Sequence, residues 1–136
     1  MKFYSTVNIY ECHVLIYDLT KTLNQLAKEN KHIYIPGYTH LQHALPVSLA
    51  EYFLSYCSML SRDLQRFSSC VSRLKFTMGA GAIAGTFIDS SKYLSPKDLL
   101  KVEPTDNSID TVSDRDFIIE ILSSLSILGM HLSRLA

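Results

Sequence analysis

The chain has no surplus of either charge and no run of basic residues: thirteen Lys and Arg offset thirteen Asp and Glu, for a formal net charge of +0. Nucleic-acid binding therefore has no electrostatic footprint here. It also lacks an unbroken run of the roughly eighteen apolar residues that a membrane span needs. The greasiest stretch, 117–132, is interrupted by Glu120 and by several polar or ionisable positions, so no membrane partner is expected. Cysteine is sparse and odd in number. Cys12, Cys57 and Cys70 match neither a metal-ligand spacing nor a disulfide framework, which points to a reducing, cytoplasmic compartment. The N-terminal residues form no signal-peptide core, because Asn8, Glu11 and His13 break the segment that follows Lys2. Internal repeats and low-complexity tracts are missing too. The glycine cluster "MGAGAIAGT" at 78–86 is no dinucleotide fingerprint: the spacing of Gly79, Gly81 and Gly85 is wrong and no strand is expected before it. It is no phosphate loop either, since Gly-Lys-Ser/Thr is absent. Tight turning and close helix approach are its ordinary uses, with anion capture by backbone N–H groups the rarer one.

What is present is a strong helical period. The chain has 136 residues, 47% hydrophobic and 19% charged, enough for a real core. Ile9, Cys12, Ile16, Leu19, Leu23 and Leu26 recur at alternating steps of 3 and 4. A second seam runs through Ala50, Phe53, Cys57, Leu60, Leu64, Phe67, Val71 and Leu74, and a third through Ile118, Ile121, Leu125, Leu128, Leu132 and Leu135. That alternation keeps each seam on one side of a helix and suits near-parallel packing. The spacing predicts helices over about 8–30, 46–76 and 112–136 and no sheet. The fold class expected is all-α, with long near-parallel helices forming part of a helical bundle. The third seam is still in phase when the chain stops at Ala136 with no Gly or Asn cap. Residues 1–136 are thus expected to be part of a larger helical domain, or to associate with further copies through exposed seams.

Two connectors separate the helices. The 77–111 connector is long and rich in Gly, Ser, Pro and Asp. The other contains "YIPGYTHLQHALPVSL", residues 34–49, where Pro36-Gly37 is turn chemistry and Pro46 suits a first helical residue. Between them lie Thr39, His40 and Gln42, three side chains that can hold or move a proton. Imidazole titrates near neutrality, so His40 is a candidate general acid or base. Taken alone, a histidine after a Pro-Gly turn is more often a surface or capping residue, and Thr39 and Gln42 equally suit turn and loop hydrogen bonding. A third stretch, "NSIDTVSDRDF" at 107–117, places Ser113 three residues before Asp116 like a capping box for the third helix. Arg115 then falls in a first turn, where the helix dipole disfavours a cation. An anionic partner such as a substrate carboxylate would explain it, and so would a surface pair with Asp114 or Asp116.

"PGYTHLQHALP", "GAGAIAGT" and "NSIDTVSDRDF" occur in the order and with the helical spacers of argininosuccinate lyase, and the chain resembles that family along nearly its whole length. The family belongs to the fumarase/aspartase superfamily, with adenylosuccinate lyase and the delta crystallins. The Pro-Gly-Tyr-Thr-His-Leu-Gln and Ser-Asp-Arg-Asp-Phe signatures favour the argininosuccinate branch over the adenylosuccinate one. The resemblance implies a carbon–nitrogen lyase that eliminates fumarate from argininosuccinate to leave arginine, in arginine biosynthesis. It implies that His40 takes part in proton transfer and that Thr39, Gln42 and Arg115 bind substrate. Neither a metal nor an organic cofactor is implied, and the partner is a homo-oligomer, a tetramer in the full-length form. The sequence also departs from the family. The early Ser-Arg-Asn-Asp-Gln segment and the Gly-Ser-Ser-x-Met-Pro loop with its catalytic serine are absent, His43 and Leu45 stand for the usual Arg and Gln, and "FIDSSK" replaces Pro-x-Asp-Arg. The expectation is a central fragment that is inactive in isolation. The alternatives are a non-catalytic assembly piece, crystallin-like or left from a decayed gene, and membership of the adenylosuccinate lyase branch.

Overall fold

The computed structural model describes residues 2–76, 81, 87, 103–104 and 107–136. The elements run α1 (Lys2–Glu29), β1 (Tyr34–Ile35), β2 (Tyr38–Thr39), β3 (Gln42–His43), β4 (Val47–Ser48), α2 (Leu49–Arg73), β5 (Lys75–Phe76), β6 (Glu103–Pro104), α3 (Ser108–Ser113) and α4 (Asp116–Leu135). The fold is all-α in class, and the strands among the described residues are two residues long. Neither α1 nor α2 contains Gly or Pro, so nothing interrupts their backbone ladders. The many Thr and Asn residues of α1 are accommodated by back-bonding: Thr6, Thr20, Thr22 and Asn24 each donate to the carbonyl four residues earlier. Glu51 and Asp116 in first turns, and Arg73 and Arg134 in last turns, suit the dipoles of α2 and α4.

The helix limits differ from the periodicity in informative ways. α1 starts at Lys2, well before the first seam residue. α2 starts at Leu49 instead of Pro46, because Val47 and Ser48 pair with Ile35 and Tyr34, and the Leu49 N–H donates to Ile33 O at 2.9 Å. The third helical region is broken after Ser113 into α3 and α4. Its caps are Asn107, whose side chain accepts from Ile109 and Asp110 N–H, and Asp114, whose Oδ1 accepts from Asp116 N–H at 2.9 Å. Ser113 is not a cap: its hydroxyl donates back to Ile109 and Asp110 carbonyls.

The chain forms two compact units. One comprises Met1–Tyr10 and Arg66–Leu125, and its interior holds Ile9, Phe67, Cys70, Leu74 and Phe117. Leu74 and Phe117 are packed with Ile118 and Ile121, and β5 pairs in parallel with β6. Lys2 reaches from the start of α1 to Asp114 at 2.7 Å and lies 5.2 Å from the centre of the Phe117 ring. The Lys2 ammonium, hydrogen-bonded to it, holds the Asp114 carboxyl below its usual value, against the opposing effect of burial. A carboxylate with a depressed native pKa adds stability above its unfolded pKa and loses it as pH falls through the native one. Both side chains are partly solvated, so the contribution is modest, about 1 kcal/mol or less. The expected result is a small deficit in thermal stability for Lys2→Met at neutral pH that vanishes on acidification below the native pKa of Asp114. Parallel melts across pH would check it.

The second unit comprises Glu11–Gln65 and Ser126–Ala136. Ile16, Leu23 and Ala27 of α1, Tyr56, Cys57 and Leu60 of α2 and Leu128 of α4 are buried in it. Tyr56 donates its hydroxyl to Arg134 O at 2.8 Å, and the buried Cys57 thiol lies 3.7 Å from Thr20 O, with burial raising its pKa. One buried polar pair stands out. Asp63 and His131, 1% and 7% exposed, meet with 2.7 Å between Oδ2 and Nδ1. The stripe that α4 buries therefore includes Phe117, Ser124, Leu128 and His131, whereas Leu125 and Leu132 of the expected seam are more than a third exposed. By length and composition α4 could cross a membrane. The polar side chains on its buried stripe have partners in α2, Ser124 with Cys70 and His131 with Asp63.

Candidate functional site

The connector after α1 is a nested hairpin, not an irregular loop. α1 ends where Asn30 turns the chain, its side-chain amide donating to Leu26 O and its own carbonyl accepting from Ile33 N–H. β1 then pairs antiparallel with β4, Tyr34 opposite Ser48 and Ile35 opposite Val47. Inside this frame β2 pairs with β3, Tyr38 opposite His43 and Thr39 opposite Gln42. Pro36-Gly37 links the two ladders on one side and Ala44-Leu45-Pro46 on the other, stitched by Ala44 N–H to Gly37 O at 2.8 Å. The unequal links are tolerable because Pro46 has no N–H to satisfy.

At the tip, His40 and Leu41 have φ of 50° and 62°. Positive φ at both central residues of a two-residue hairpin is the backbone of a type I′ turn, which matches the twist of paired strands. Glycine and asparagine usually fill such positions. A histidine and a leucine there raise the energy by about 1–2 kcal/mol each, which the paired strands must hold in place. Such strain concentrates where a side chain has to be aimed.

The hairpin brings three of the four sequence-predicted residues together. Thr39 and Gln42 are cross-strand partners immediately below the turn, and His40 begins the turn itself; all are exposed. Successive residues of a strand face opposite sides, so Thr39 and Gln42 share one face and Tyr38 and His43 the other. The Tyr38 and His43 rings meet there, centroids 4.8 Å apart. A hydroxyl, an imidazole and a carboxamide on one two-strand tip can together hold an anionic group and move a proton.

Arg115 belongs to the other unit. It precedes α4 and closes α3: its Nη1 donates to Val112 O at 3.0 Å and Asp114 O at 2.7 Å. These bonds satisfy carbonyls at the end of α3, where a cation is favourable, while the same residue immediately precedes the N-terminus of α4. Its position needs no anion to explain it, and its guanidinium retains further donors. Of the 78–86 motif only Gly81, with φ 62°, is among the described residues; Gly79 and Gly85 lie outside them. Among the described residues no cluster of three or more His, Cys, Asp or Glu could hold a metal. An open depression of about 820 Å³ follows Tyr17–Lys28, but α1 alone lines it, so it gathers no convergent groups. The sequence reading missed the hairpin and the Asp63–His131 pair.

The sequence pattern of the family described as "Lyase" matches residues 9–136. The chain belongs to the lyase family. Its relatives within that group include the protein named argininosuccinate lyase of Acetivibrio thermocellus, 41% identical over 135 residues. Those of a Geobacillus species (strain WCH70) and an Exiguobacterium species (strain ATCC BAA-1283 / AT1b), with the same name, are each 46% identical, over 135 and 137 residues. Each alignment takes in 98% of this chain and 29–30% of the relative. The lyase-family match thus includes the entire hairpin and both SDRD-flanking helices, while the chain spans less than a third of these relatives' length.

Proposed function

We propose that residues 1–136 are a segment of an argininosuccinate lyase, which splits argininosuccinate reversibly into arginine and fumarate in the arginine biosynthetic pathway of the cytoplasm. The single observation that carries this reading is the Thr39–His40–Gln42 hairpin tip, within a stretch 41–46% identical to proteins of that name. A base removes the proton from the carbon beside one carboxylate of the succinyl group. That carboxylate takes up the developing charge, and an acid protonates the guanidino nitrogen as its bond to carbon breaks. Electrostatic stabilisation of the intermediate is the largest catalytic demand. In this reading His40 transfers or stabilises a proton at the cleaved bond, Thr39 and Gln42 hold substrate beside it, and Arg115 engages a carboxylate. No metal or organic cofactor is assigned a role.

The working form in this proposal is a homotetramer. Tyr4, Val14, Leu15 and Tyr17 of α1 and Ile119 and Leu122 of α4 are all more than half exposed. A helix apolar on several sides is normally enclosed by other helices. The same exposure favours a second reading, in which this chain is only a helical assembly piece. The coding DNA on either side separates the two. The lyase reading expects an in-frame continuation carrying a Gly-Ser-Ser-x-Met-Pro loop downstream, and early stop codons in that frame would overturn it.

A further inference from the structure

Gly37 lies where the two ladders of the hairpin meet, and what it lacks is informative. A Cβ built on it would fall 2.5 Å from Leu45 O and 3.1 Å from Val47 Cγ2. The first of these is backbone, part of the opposite link, and cannot rotate away. Gly37 is also the residue whose carbonyl accepts the one hydrogen bond joining the links, from Ala44 N–H at 2.8 Å. The glycine is therefore required for close approach of two backbone segments, the situation in which a missing Cβ matters most. Above this waist stand only β2, β3 and the turn that carries His40 at φ 50°.

We propose that Gly37 is a positioning residue for His40: the close contact of its bare Cα with the Leu45 carbonyl seats the β2–β3 hairpin on the β1–β4 ladder and so fixes where the imidazole is held. This rests on the reading of His40 as a participant in proton transfer. A methyl at position 37 must move from 2.5 Å to the ordinary contact distance of at least 3.4 Å, a displacement of about 0.9 Å at the waist. A misplacement of about 1 Å in a catalytic group can lower rate by roughly 10²-fold.

The test uses a complete lyase chain containing residues 1–136, obtained where necessary by exchanging them for the aligned segment of the Acetivibrio thermocellus protein. Turnover of argininosuccinate is measured for the parent, Gly37→Ala, His40→Asn and the double variant. The expected result is a fall in kcat of about 30- to 100-fold for Gly37→Ala, with a double variant no slower than His40→Asn alone to within about threefold. Losses that do not add mean that Gly37 acts through His40; a purely structural glycine would make them multiply, which would overturn the inference. So would a Gly37→Ala chain within threefold of the parent. A His40→Asn chain as fast as the parent would overturn the underlying reading and the inference together, and the single variants tell the two failures apart. If Gly37→Ala loses helical circular dichroism, the turn decides instead. Leu41 is 95% exposed at φ 62°, so its substitution disturbs no packed atoms. Leu41→Gly suits that backbone and is expected to keep kcat within threefold, whereas the β-branched Leu41→Val disfavours it and is expected to lower kcat at least tenfold. Equal rates for these two would overturn the proposal.

Discussion

Replacing His40 by Asn in a complete lyase chain is expected to lower kcat for argininosuccinate by about 10²- to 10⁴-fold and leave the melting temperature nearly unchanged. Asn keeps a polar side chain of similar reach and tolerates positive φ better than most residues, so the turn survives. What it removes is the imidazole, the side chain proposed to take part in the proton transfer. Stability should change little because His40 is exposed at a hairpin tip and contributes nothing to either buried interior; such surface substitutions usually fall within about 0.5 kcal/mol. The readout is the ratio of kcat values together with a thermal melt of each chain. A kcat unchanged by the substitution would remove His40 from the chemistry. A large drop in melting temperature accompanying lost activity would assign it to the scaffold. The isolated 136-residue chain is expected to show no turnover with either residue at position 40.

The largest expected effect on stability lies elsewhere, at Asp63 and His131. Their side chains are 0% and 8% exposed and 2.7 Å apart, linking α2 to α4 across 68 residues of sequence. Removing one member of a buried hydrogen-bonded pair takes from the other a partner that water cannot readily replace, which typically lowers stability by about 1–3 kcal/mol. His131→Leu is therefore expected to move the urea midpoint of the chain far below that of the parent. Replacing both residues by Leu should recover much of the loss, because an apolar pair leaves no half-satisfied polar group in the interior. Urea titrations of the single and double variants, followed by helix signal, check both statements. An unchanged midpoint in His131→Leu would mean that the pair does not hold the unit together.

Sequence and structure agree best where burial follows apolar period. In α1 the stripe of Ile9, Ile16 and Leu23 is buried as the steps of 3 and 4 require, and so are Leu60, Phe67 and Leu74 of the second seam. Agreement fails in α4, where Ser124 and His131 are buried and Leu125 and Leu132 face outward. An apolar count ranks leucine above serine and histidine. It cannot register that Cys70 and Asp63, far away in sequence, offer those polar groups partners. The hairpin was illegible for a different reason. Its strands are two residues long, too short for an alternation to show, and its turn is His-Leu where Asn-Gly or Asp-Gly is the recognisable signal. Pro46 reinforced the misreading, since a proline that starts a helix and one that interrupts a ladder look the same in sequence. The break after Ser113 gives Arg115 partners that one continuous helix would not offer, the Val112 and Asp114 carbonyls at the end of α3. Thr39, His40 and Gln42 were legible as a group from residue type and spacing. Their cross-strand geometry was not.

If this segment supplies a working Thr-His-Gln tip to a lyase, a chain that contains it forms fumarate. A complete chain carrying residues 1–136 in place of the aligned segment of the Acetivibrio thermocellus protein should convert argininosuccinate, followed by the ultraviolet absorbance of fumarate as it appears and by arginine release in equal amount. A folded, assembled chain of that composition that forms no fumarate would mean that residues 1–136 do not supply a working tip.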